Sequence, residues 1–101
     1  EAATFRGVVI PIGGVPLGSS GRLTATLRYR LGGTWQTAAV QEVATSPDNR
    51  FPVFLRFAGV ALPWEAQEVW RFRLTTSWVP TGRGLTIEGE SNELPMHRLP
   101  R

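Results

Sequence analysis

Residues Glu68 to Val79 constrain the fold more than any other stretch, because Trp70, Phe72, Leu74, Thr76 and Trp78 alternate with Val69, Arg71, Arg73, Thr75 and Ser77. Apolar residues at every second position are the signature of a half-buried β-strand. Successive side chains of a strand point to opposite faces, so Trp70, Phe72, Leu74 and Trp78 share one face while Arg71 and Arg73 stand on the other. Three large rings on one side need a second layer to cover them. The remaining chain offers strands, not helices, for that layer.

Arg22 to Leu31 alternates as cleanly, with Leu23, Ala25, Leu27, Tyr29 and Leu31 inward and Arg22, Thr24, Thr26, Arg28 and Arg30 outward. One face is core and the other is wet. Gly32-Gly33 supplies the positive φ that a tight hairpin loop demands, which makes Thr34 to Thr45 the returning strand. Strict pairing through that loop sets Trp35 opposite Arg30 on the outer face, where ring and guanidinium can stack, but it also sets Glu42 opposite inward Leu23. A bulge or a longer loop would remove the conflict.

Thr4 to Ile12 reads as a first strand near a sheet edge, interrupted by Pro11 and Gly13-Gly14. Gly13 to Gly21 is a loop dense in breakers, and Gly18 is followed by Ser19-Ser20, not by the Lys that a phosphate-binding loop requires. Ser46-Pro47-Asp48-Asn49 is a turn. In the next strand Phe51, Val53, Leu55 and Phe57 line one face, leaving Phe54 and Arg56 on the other. Ala58 to Gln67 has no period of two, and Leu62 to Gln67 suits a single helical turn crossing between layers. After a turn at Pro80 to Gly84, Leu85 to Glu88 alternates briefly and Glu93 to His97 is a short last strand, with Pro95 and Pro100 marking an edge or a frayed tail. The expected fold is all-β: one domain, a two-sheet antiparallel β-sandwich of about six to eight strands, with a small barrel as the alternative.

A chain of 101 residues with 42% hydrophobic content can build one core without disulfides or metal. Cysteine is absent, which removes thiolate chemistry and Cys-based zinc sites. Glu1-Ala-Ala-Thr has neither the charged nor the apolar region of a signal peptide, and the weakly charged run from Phe51 to Trp64 is too short for a membrane-spanning helix. The net charge of +3 comes from Arg alone, diluted by eight acidic residues, with no RNA-recognition motif, basic helix or zinc finger. Nucleic acid is therefore not an expected partner. His97 and Asp48 are each the sole residue of their type and lie in turn or tail, so a hydrolytic triad lacks parts and no metal-ligand spacing exists. Glu88, Glu90 and Glu93 suggest a solvated edge that discourages aggregation more than a glycosidic acid-base pair. The chain is expected to be no enzyme and to carry no cofactor or metal.

The order of motifs carries a further expectation. Phe5-Arg-Gly-Val-Val9, the loop Pro16-Leu-Gly18, Leu23-Thr-Ala-Thr-Leu27, Ala39-Val-Gln-Glu-Val43, the strand Phe51 to Phe57 and the aromatic strand Trp70-Arg-Phe-Arg-Leu74 follow one another before a Gly turn. In that order and spacing, over most of Phe5 to Glu90, the chain resembles the YscW/ExsB-type pilotin lipoproteins of bacterial type III secretion, and more distantly the YbaY-type lipoproteins. The resemblance implies a small β-sandwich at the periplasmic face of the outer membrane of a Gram-negative bacterium. A lipid on a cysteine upstream of Glu1 would be its only membrane attachment. The implied partner is a secretin subunit, bound through its C-terminal segment and assisted in targeting and assembly without turnover.

A secretin tail would be held either as an added strand or as an apolar segment in a groove. Side chains that the alternation leaves off the core are the candidate contacts: Trp35, Phe54 and Trp64, with Arg28 and Arg30 as polar rim. The alternative is an immunoglobulin-like or carbohydrate-binding module of a larger surface protein, in which a free aromatic platform would favour sugar.

Overall fold

The computed structural model describes residues 2–10, 20–46 and 52–98. Two expected turns, most of Gly13 to Gly21 and Pro47 to Asn49, together with Phe51 and Pro100, lie outside the described residues. The elements are β1 (Ala2–Val9), β2 (Gly21–Leu31), β3 (Thr34–Thr45), β4 (Val53–Ala61), the 3₁₀ turn η1 (Trp64–Ala66), β5 (Val69–Pro80), β6 (Ile87–Glu90) and β7 (Leu94–His97). They form a β-sandwich-like fold of two antiparallel sheets, a two-stranded β1-β4 sheet and a five-stranded sheet ordered β3-β2-β5-β6, with β7 also on β5.

β5 lies inside the large sheet, as its long aromatic alternation requires. Trp70, Phe72 and Trp78 are buried together with Leu23, Ala25 and Leu27 of β2, and Val53, Leu55, Phe57 and Val60 of β4 close over them from the small sheet. Phe5 of β1 meets Phe72 with ring centroids 4.8 Å apart. At the far end of the core the Trp78 indole N–H donates to Thr45 Oγ1 at 2.9 Å, and that hydroxyl donates to Gly21 O at 3.3 Å. Gly21 must remain glycine, because a Cβ there would come within 2.5 Å of the Trp78 ring.

Three one-residue bulges correct the simple alternation. In the β2-β3 hairpin, Gly32 and Gly33 adopt φ of 59° and 83°, and Arg30 faces Trp35 as the tight loop dictates. The register then shifts between Leu27, opposite Ala39, and Arg28, opposite Thr37. This shift places Val43 opposite Leu23 and moves Glu42 to the outer face opposite Thr24, so no carboxylate enters the core. In β4 the alternation skips from Phe57 to Val60 where Gly59 takes φ of 67°, so the strand continues to Ala61, beyond the end its periodicity suggests. The third bulge is at the β6-β7 edge. Between the pairs Phe72–Leu94 and Thr75–Glu90, β5 passes two residues while the edge passes Ser91, Asn92 and Glu93.

Candidate functional site

The small sheet is too narrow for the large one. With strands about 4.8 Å apart, two strands cover roughly half of a face built from β3, β2, β5 and the β6-β7 edge. Leu94 and Met96 show the result: they face inward by their pairing with Phe72 and Trp70, yet Leu94 is 55% exposed and Met96 40%. Above them runs β1, whose only strand partner among the described residues is β4, so no described strand pairs with its other edge. Between that edge and β7 lies a cleft of about 370 Å³, walled by Phe5, Gly7 and Val8 and floored by Phe72, Leu74 and Leu94. Its lining is mainly apolar. The edge bulge shapes the cleft, because Ser91 ties itself to Leu74 through Ser91 N–H to Leu74 O and Leu74 N–H to Ser91 Oγ, both 2.8 Å.

A second, polar groove of about 720 Å³ crosses the outer face of the large sheet, where Thr24, Thr26 and Arg28 of β2 stand beside Arg73, Thr75 and Ser77 of β5. Trp35 borders it on one side and Glu88 and Glu90 on the other. The ring of Trp35 is opposite Arg30, but the guanidinium that stacks on it is that of Arg73, 4.7 Å from the ring centroid. Both side chains are long enough to span the roughly 10 Å between second-neighbour strands. Arg73 is held there by Glu93 at 3.1 Å and Glu90 at 3.5 Å. One face of Trp35 is thus already occupied, and a sugar could stack only on the other.

The five expected contact residues do not meet on one surface. Trp35 and Arg28 line the polar groove, and Arg30 is exposed on the same sheet. Phe54 lies on the outer face of the small sheet, 77% exposed. Trp64 is not off the core: its ring packs on Trp70 at 5.0 Å and on Phe72 at 6.3 Å. The 3₁₀ turn after Pro63 carries it back over β5, and a turn without a period of two gives alternation no power to place a side chain. The cleft residues Leu74 and Leu94 were missed as contacts because Leu74 read as core and Leu94 as part of a short strand at an edge or frayed tail. Only an excess of inward apolar positions on the large sheet over the two strands available to cover them signals the cleft.

Around Phe54 the small sheet has a distinct composition. Phe54 faces Val8, and Arg6 faces Arg56, on a surface continued by Ile10. None of the ion pairs among the described residues involves Arg6 or Arg56, and no acidic residue is found in either strand.

Among the described residues no group of three His, Cys, Asp or Glu side chains is placed to hold a metal. His97 ends β7 and is exposed, while Asp48 lies outside the described residues. No described helix is long and apolar enough to cross a membrane. No family model, curated protein or solved structure matches the chain.

Proposed function

We propose that this domain is a pilotin-type escort, which holds an extended apolar segment of a type III secretion secretin subunit and assists its passage to the outer membrane without chemical turnover. The observation that supports this reading is the edge of β1, which has no strand partner among the described residues and borders an apolar cleft. An incoming strand would hydrogen-bond to that edge of β1 and lay alternate apolar side chains on Leu74 and Leu94. Main-chain pairing would supply affinity and the cleft would select side chains. Covering such a segment in transit also masks an aggregation-prone strand. The motif order that resembles the pilotin lipoproteins names the partner class and the N-terminal lipid anchorage at the periplasmic face.

The test is co-purification of secretin C-terminal segments with the soluble domain. Leu94→Arg, at an exposed position, should abolish capture while the domain stays folded, and Trp35→Ala on the opposite sheet face should leave capture intact. Capture lost with Trp35 and retained with Leu94→Arg would place the partner on the polar groove and reject the added-strand reading.

A further inference from the structure

We propose that the outer face of the small sheet is a contact surface for an anionic lipid bilayer. Four side chains form its centre as two neighbouring cross-strand pairs, Val8 with Phe54 and Arg6 with Arg56. Directly opposed residues lie about 5 Å apart and the next pair on the same face about 7 Å along the strand, so the rings, methyls and guanidiniums make one compact patch. Val8, Ile10 and Phe54 are 50%, 54% and 77% exposed. Large apolar side chains grouped in water mark a contact surface more often than a packing accident.

Charge selects the partner. Like charges directly opposite each other disfavour a sheet unless something neutralises them. On the large sheet Arg22, Arg71 and Arg73 have carboxylate partners, and Arg28 and Arg30, which have none among the described residues, share their sheet with the acids Glu42, Glu88 and Glu90. On the small sheet Arg6 and Arg56 have none among the described residues, and neither β1 nor β4 carries an acid. The complement is a surface that is anionic outside and apolar just beneath. A bilayer with acidic headgroups has that layering: phosphates at the level of the guanidiniums, and acyl chains within reach of Phe54 and Val8. A second copy of the chain fits poorly, since a two-fold contact through this face gathers four guanidiniums with no carboxylate. A nucleic acid would meet only two of these cations, set beside apolar side chains, where its affinity depends on many phosphate contacts.

Flotation with phosphatidylcholine vesicles, with and without phosphatidylglycerol, tests the proposal. The unmodified chain should float with the anionic vesicles and not with pure phosphatidylcholine, and added salt should weaken the association. Arg56→Ala should lower partitioning about fivefold, and Phe54→Ala by about tenfold or more. Arg71→Ala, on the other sheet, should change nothing. Absence of flotation, equal flotation on both vesicle types, or equal loss with Arg71→Ala and Arg56→Ala would overturn the proposal. So would a dimer in sedimentation that dissociates on Phe54→Ala, which would assign the patch to a second copy. Arg6 and Val8 also border the cleft beside β1, but Phe54 and Arg56 do not, so Phe54→Ala and Arg56→Ala should lower vesicle binding while leaving secretin-segment capture intact, and Leu94→Arg should do the reverse.

Discussion

Two pairs of arginines face each other across neighbouring strands, Arg28 with Arg73 on the large sheet and Arg6 with Arg56 on the small one. In the first pair Glu90 and Glu93 hold Arg73 and Trp35 takes its flat face, while Arg28, with no carboxylate partner among the described residues, stands in a groove lined by Thr and Ser hydroxyls. The second is flanked by Phe54 and Val8, with no carboxylate in either strand. The same local motif is therefore partly compensated on one surface and has no carboxylate partner among the described residues on the other. The large sheet sets its pair among carboxylates and hydroxyls, although Arg73 Nε and Gln41 Oε1 stay buried without a partner, whereas among the described residues the small sheet has no carboxylate in its strands and an edge of β1 without a strand partner over an apolar cleft. Both proposed contact surfaces involve the sheet with the fewest strands.

This contrast breaks most severely if the sheets are independent. A two-stranded sheet is marginal alone, so β1 and β4 depend on the rings of β5. Trp70→Ala should cost about 3–5 kcal/mol and melt both sheets in one transition, followed by circular dichroism and by amide exchange in β1 and β2. Separate transitions would show that the small sheet has its own stability.

A smaller effect is expected where the large sheet closes on itself. Thr45→Val leaves the buried Trp78 N–H without its acceptor and should cost about 1–3 kcal/mol in denaturant unfolding. Gly21→Ala forces a Cβ into the Trp78 ring and should cost a similar amount, about 1–3 kcal/mol.

The arginine pairs themselves give the sharpest comparison and the smallest numbers. Arg73→Ala should destabilise by about 1 kcal/mol, as a partly buried ion-pair network and a stacked ring are lost together. Arg56→Ala should lie within about 0.5 kcal/mol of the unmodified chain, on the stabilising side at low salt, because it removes like-charge repulsion. A substantial loss on Arg56→Ala would mean that the small sheet's charges are compensated after all.

The strands were legible in the sequence wherever alternation ran unbroken. Trp70 to Trp78 and Leu23 to Leu27 turn inward as their spacing dictates, and Gly32-Gly33 sets the hairpin. Bulges were less legible, because one extra residue leaves a consistent alternation on each side of it. Glu42 opposite a core leucine was a contradiction that demanded a bulge somewhere, but nothing in Thr37-Ala38-Ala39 marks where the register shifts. The proposed binding surfaces were hardest to read. The cleft exists because β1 pairs with β4, some fifty residues distant, leaving a sheet too narrow for its partner, and widths of sheets are not written in any one segment. Phe54 was recognisable as off the core, whereas Trp64 was not recognisable as part of it.

The most direct test of the account is amide hydrogen exchange along β1 with and without a bound secretin C-terminal segment. Amides on the cleft-side edge of β1 should gain protection, together with Leu74 and Leu94, while the groove around Trp35 is unchanged. Protection confined to the Trp35 groove, or bound segment with β1 exchanging as before, would contradict it.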